Sequence, residues 1–172
     1  MVIGLLDNFS CYNYLMIIIG IDPGTATTGW GIIEVKSKLK ITCLGVGVIK
    51  TPANQALEKR LFTIYKDINI LLKKYHPDII AVENLFFGTN AKTALLVGQA
   101  RGVVLLTAEM HKIPLFSYTP LQVKMALTGY GRAQKNQIGI MVTKMLNLTS
   151  IPKPDDASDA LAVALTHSYS TR

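Results

Sequence analysis

The sequence predicts an α/β fold in which a mixed sheet is covered by helices. Three observations carry that expectation. Apolar, β-branched runs crowd the first fifty residues and are separated only by short turns. The later chain alternates such runs with stretches of helical apolar period. No repeat, linker or low-complexity tract interrupts it. The 172 residues are 49% apolar and 17% charged, which suits one ordered domain with a real core.

Residues 16–22 form an apolar strand that ends in the turn Pro23-Gly24. Residues 29–35 and 41–50 read as two further strands joined by short turns, hence an antiparallel meander. Across 55–75, Leu57, Leu61, Ile64, Tyr65, Ile68, Leu71, Leu72 and Tyr75 keep helical spacing, and Pro77 closes the helix. Residues 78–83 are again a buried strand. A helix over 91–111 carries Gly98, Ala100 and Gly102, small residues that allow close packing. After a strand at 113–118, Thr119 caps a helix with Pro120 first and Gln122 third, a capping-box arrangement. A glycine-containing loop at 128–132 leads to a helix over 134–148, and a last helix runs from about Asp155 to about Tyr169. Residues 1–15 precede a second methionine, Met16, and read as an upstream extension or a start assigned too early. That leaves 16–172 as a single domain.

Composition excludes several classes. Cys11 and Cys43 form no CxxC or Cys/His cluster, which argues against structural zinc and a disulfide framework and agrees with a reducing cytosol. The first basic residue is Lys36, so no secretory basic region is expected at the N-terminus. The run from Met16 to Ile21 is far too short for a bilayer, so no membrane role is expected. Net charge is +7, and its distribution is more informative. Between His111 and Pro154 there is no Asp or Glu but six basic residues: Lys112, Lys124, Arg132, Lys135, Lys144 and Lys153. A one-signed surface of this extent suits a polyanion, nucleic acid foremost.

The acids offer the chemistry. Asp22 and Glu83 each end a wholly apolar strand, and ligands in α/β sheets gather at the carboxyl ends of strands. If the two strands are neighbours, these carboxylates converge; either acid alone reads equally well as a turn residue. Asp156 and Asp159 share a face at the start of the last helix. First-turn acids also favour the helix dipole, and Asp155 suits the cap. Yet the following Ala160-Leu-Ala-Val-Ala-Leu165 is apolar almost all round, which implies burial, and buried acids need a partner. No basic residue follows Lys153 until Arg172, so a bound cation is expected to supply it. Oxygen-only donors suit magnesium or manganese, and two such ions would activate water and stabilise the leaving oxygen of a phosphodiester.

At these residues the sequence resembles the RuvC family, bacterial Holliday-junction resolvases of the ribonuclease H-like superfamily. The matching segments are Ile19-Gly-Ile-Asp-Pro-Gly-Thr25, Thr28-Gly-Trp-Gly31, Ala81-Val-Glu-Asn-Leu-Phe86, Asn90, Gly98-Gln-Ala-Arg-Gly102, Gln122-Val-Lys124, Asp156-Ala-Ser-Asp-Ala-Leu-Ala162 and Thr166-His167. The resemblance implies a ribonuclease H-like five-stranded sheet and a metal-dependent endonuclease acting on four-way junction DNA in recombination and repair. It implies that Asp22, Glu83, Asp156 and Asp159 are the catalytic, metal-binding acids, holding Mg2+ (or Mn2+), two per site. It also implies a homodimer that nicks symmetrically, a cytoplasmic location, and partnership with the RuvA–RuvB branch-migration machinery. Phe86 matches a family aromatic that stacks on bases, and Lys124 and Lys135 match lysines near the scissile phosphate. Arg101 and Arg132 are further DNA-binding candidates, although Arg101 suits a salt bridge equally well.

Other residues read more plainly. Trp30 is expected in the core, Met141 and Met145 as packing filler, and His167 as a cation near a helix C-terminus. Asp22-Pro-Gly-Thr25 followed by Gly29 also resembles the phosphate hairpin of actin-like and sugar-kinase ATPases. Those need two such domains, and this chain has room for one. A DNA-binding module without catalysis, its acids serving as caps, is a second rival, and a related RuvC-like nuclease acting on ribosomal RNA precursors is a third.

Overall fold

The computed structural model describes residues 15–37, 39–84 and 91–170. Among them run β1 (Met16–Asp22), β2 (Thr27–Ser37), β3 (Lys40–Lys50), α1 (Leu57–Tyr75), β4 (Ile79–Glu83), α2 (Ala91–Met110), β5 (Leu115–Tyr118), α3 (Pro120–Thr128), α4 (Lys135–Met145) and α5 (Asp155–Ser170). The strands form one sheet in the order β3-β2-β1-β4-β5. The first three make the expected antiparallel meander, while β4 joins β1, and β5 joins β4, in parallel. This is the mixed five-stranded α/β sheet that the sequence predicts.

The pleat sends alternate side chains to opposite faces. Ile19, Ile21, Ile32, Ile80 and Val82 pack with Ile64, Ile68 and Leu72 of α1 and Ala100 and Val104 of α2. Ile18, Ile33 and Ala81 pack on the other face with Val123 of α3, Ile138 and Val142 of α4, and Leu161 and Leu165 of α5. The strand isoleucines are wholly withdrawn from solvent, a burial worth ~1.5–3 kcal/mol each. Two layers of helix therefore sandwich the sheet.

Helix α5 lies unusually close to the strands because glycines remove the side chains between them. A methyl group on Gly20 of β1 would overlap the Ala160 carbonyl and the Ala164 backbone, and one on Gly29 of β2 would overlap the Asp156 carbonyl. The apolar run of α5 explains its fit, since residues 160–168 are all buried.

Several local expectations shift. β2 extends beyond the predicted 29–35, because its bulged pairing with β3 continues to Ser37. β5 begins later than 113, since the Ile113 N–H closes α2 on the Ala108 carbonyl and Pro114 has none to donate. Helix α4 is shorter than 134–148: Gln134 stands outside it, its N–H donating to Gln137 Oε1 at 2.7 Å, and Asn147 turns to a φ of 55°. The Thr119 capping box forms as read, with Gln122 N–H donating to Thr119 Oγ1 at 3.2 Å. Gly102 corrects the close-packing expectation. It is exposed, with open space where a side chain would stand, whereas Ala100 is buried as predicted.

Candidate active site

Asp22 pairs with Gly29 across β1 and β2, and Ile21 pairs with Val82 across β1 and β4. One step further along those parallel strands, Asp22 and Glu83 end side by side. Both follow the parity of Gly20 and Ala81, so both belong to the face that α5 covers. The contact of Gly29 with the Asp156 backbone brings the first turn of α5 to the same rim. All four predicted acids therefore meet at one end of the sheet.

Their ionisation records the crowding. Burial, followed by the charges of Glu83 and Asp159, pushes Asp22 from 3.8 up to about 8. Glu83 is also raised, by burial first, although its hydrogen bond with Asp22 and the charge of Lys135 pull it back. Burial and mutual repulsion thus make both carboxyls harder to ionise than an exposed acid. Asp159 is raised by burial against the opposing hydrogen bond and charge of Lys135. Lys135 Nζ lies 2.8 Å from Asp159 Oδ2 and 3.7 Å from Asp155 Oδ2. Burial draws the Lys135 ammonium down, but Asp159, Asp155 and Asp156 outweigh it and hold its pKa above the usual lysine range.

As the side chains stand, no three acids among the described residues are arranged around one ion. The cluster is divided into a hydrogen-bonded pair, Asp22 with Glu83, and an ion pair, Asp159 with Lys135. The Lys135 ammonium is the one cation that the ion pairs place against these four acids among the described residues. The donor set fits hard divalent cations, being all carboxylate oxygen with more negative charge than one lysine neutralises.

The remaining candidates separate. Lys124 is half-buried on α3, and its ammonium has no hydrogen-bond or ion-pair partner among the described residues. Arg132 is exposed in the segment between α3 and α4. Arg101 lies on α2, across the sheet from α5, and donates from Nη2 to Ser117 Oγ at 2.9 Å. It makes no salt bridge among the described residues, which removes that half of its reading. Phe86 and Asn90 lie outside the described residues.

Three further points correct or complete the sequence reading. His167 is not a solvated cation at a helix end. It is 1% exposed, its Nδ1 lies 2.7 Å from the Tyr118 hydroxyl, and burial lowers its pKa. The expectation of a bound ion as partner to the α5 acids did not include Lys135, whose approach depends on how α4 packs. Trp30 does pack against the core, over Gly45 and Gly47.

A half-parallel five-stranded sheet with acids at the ends of β1 and β4 and a third group on α5 defines a ribonuclease H-like nuclease domain. A family model described as crossover junction endodeoxyribonuclease RuvC matches residues 18–167. A relative of that name from Alkaliphilus oremlandii is 53% identical over 154 residues, covering 90% of this chain and 93% of the relative. One from Clostridioides difficile is 48% identical over 157 residues, covering 91% and 92%. Among solved structures, T. thermophilus RuvC in complex with a Holliday junction substrate aligns with a TM-score of 0.87 at 38% identity, over 91% of this chain and 95% of that one. The yeast mitochondrial Holliday junction resolvase Ydc2 shares the fold, with a TM-score of 0.61 at 16% identity over 87% and 77%. The chain belongs to the RuvC family of crossover junction endodeoxyribonucleases.

Proposed function

We propose that this chain resolves four-way DNA junctions by metal-dependent phosphodiester hydrolysis, with Asp22, Glu83, Asp156 and Asp159 as its metal-binding, catalytic acids. The observation that carries this is that Asp22 and Glu83 end neighbouring parallel strands at the rim where the first turn of α5 rests on Gly29. Magnesium, or manganese, suits the oxygen donors, and a pair of ions suits four carboxylates. Bound there, the ions would supply an activated water and charge for the departing oxygen.

The protein's own contributions follow from the geometry. Asp22 and Glu83 would hold a bound cation at the strand ends, and its charge would relieve the burial and repulsion that keep both carboxyls hard to ionise. Lys135 steadies Asp159 and adds positive charge on the side where a phosphate must enter. Lys124, Arg132, Phe86 and Arg101 extend the DNA-contacting surface in this reading, Arg101 from the opposite face of the sheet.

The same reading takes the chain as a homodimer. Helix α2 supports it: Leu95, Leu106 and Met110 are 66%, 59% and 58% exposed on it, and Gly102 lies open on it. It further places the enzyme in the bacterial cytoplasm beside RuvA–RuvB, and takes residues 1–15 as an extension to a domain spanning 16–172. The domain boundary has support from β1 beginning at Met16 and the family match beginning at residue 18. No helix among the described residues is long and apolar enough to cross a membrane. Cleavage of synthetic four-way junctions against linear duplex, with and without magnesium, tests the reading. Paired symmetric nicks confined to the junction and dependent on metal are expected; equal cutting of linear duplex removes junction specificity.

A further inference from the structure

A second feature opens beside the carboxylates. A cleft of about 280 Å³ is bounded by the turn 24–27, Arg60, Leu96, Val97 and Asp156. The turn is the one that follows Asp22, and Asp156 is the α5 acid whose backbone rests on Gly29. The cleft therefore shares its rim with the proposed metal site.

Arg60 is held there by neutral groups. Its Nε donates to Thr51 Oγ1 at 2.8 Å, and the Thr51 hydroxyl donates in turn to the Thr25 carbonyl. The Thr51 N–H donates to the Ala26 carbonyl at 3.1 Å, so the relay is tied to the turn twice. No carboxylate forms an ion pair with Arg60 among the described residues, and its two terminal nitrogens have no partner there. The Nε bond fixes the plane of the guanidinium and leaves both terminal nitrogens over. Here the planar fork that suits a phosphate is oriented in advance and left unengaged. The apolar Leu96 and Val97 suit a sugar edge better than a second charge.

We propose that Arg60 and the 24–27 turn form a seat for one backbone phosphate of the DNA strand, adjacent to the phosphate being cut. This rests on the junction-cleaving reading above. It assigns a role to a residue outside the acid cluster and outside the acid-free basic stretch.

The test measures junction binding in an Asp22→Asn background, where cleavage does not interfere. Single methylphosphonate linkages are placed in turn around the cleavage position. The parent is expected to lose ~10-fold affinity at one linkage beside the scissile one, as for loss of a charge-assisted contact. Adding Arg60→Gln keeps a donor for Thr51 but removes the charge. It should abolish sensitivity to that one linkage and reduce the log–log salt slope by about one unit. Arg60→Lys should keep the slope. An Arg60→Gln profile identical to the parent's, in slope and in linkage sensitivity, overturns the proposal and leaves Arg60 as a brace. A parent that fails to bind junctions at all removes the underlying reading, and that failure is visible before Arg60 is changed.

Discussion

Lys135 on α4 sets its ammonium 2.8 Å from the Asp159 carboxylate on α5. The lysine side chain is more than half exposed, so solvent screens the pair and its effect on stability is ~0–1 kcal/mol. Under the proposed reading the same charge meets the entering phosphate, and its effect on the reaction is then expected to be larger. Lys135→Ala should leave the melting temperature within a few degrees while slowing junction cleavage ~100-fold, the scale for removing one preorganised donor. Single-turnover rates beside thermal melts check this. An unchanged rate would confine Lys135 to the surface.

Asp22→Asn separates charge from shape. In wild type the folded-state pKa of Asp22, about 8, lies above its ordinary 3.8, so the folded state binds the proton more tightly. This contribution to stability is fully present below about pH 4 and is lost as pH rises toward 8. In chelator, wild-type melting temperature should therefore carry a component that falls across that window. The Asn variant should lack it and melt higher near pH 8, while losing junction cleavage altogether. Magnesium should erase the slope in wild type only. Parallel pH–melting curves for the two proteins would sink this account of the cluster.

Gly29→Ala adds one methyl group where the Asp156 carbonyl already stands. The first turn of α5 must lift, at a cost of ~1–3 kcal/mol for overpacking. Cleavage should fall by more than the loss of folded protein explains, since Asp156 moves with the turn. Comparing activity per folded molecule with that of the wild type decides whether the helix-to-sheet spacing sets the reaction.

The apolar face of α2 can be tested without touching the site. Leu106 is 59% exposed, so Leu106→Glu should not disturb the core. If this face joins two copies, the variant should sediment as a folded monomer and lose coordinated nicking of both strands. A dimer that persists with unchanged mass would move the interface elsewhere.

Lys124 offers a simpler reading of charge. Its ammonium has no partner among the described residues, so Lys124→Ala should flatten the salt dependence of junction binding by about one unit if it meets one phosphate. An unaltered slope places it off the DNA.

The sheet and its terminal acids were legible because strand periodicity is local. An apolar run that stops at an acid states both where the strand ends and what its last side chain is, as at Asp22 and Glu83. Their convergence needed the strands to be neighbours, which β1 and β4 are. What escaped was set by packing between distant segments. The Lys135–Asp159 pair depends on how α4 crosses α5, and the burial of His167 depends on β5 lying beside it. The role of Gly20 and Gly29 as the bed of α5 leaves no periodic trace. Arg60 carried no signal in the sequence because its partner Thr51, and the Thr25 carbonyl that Thr51 holds, come from separate turns.

The two acid-bearing strands, β1 and β4, are interior members of the order β3-β2-β1-β4-β5, each flanked on both sides. The reacting centre is thereby insulated from the margins, where chain length and composition drift most freely. A change confined to the outer strands β3 or β5 would therefore leave the spacing between Asp22 and Glu83 as it is.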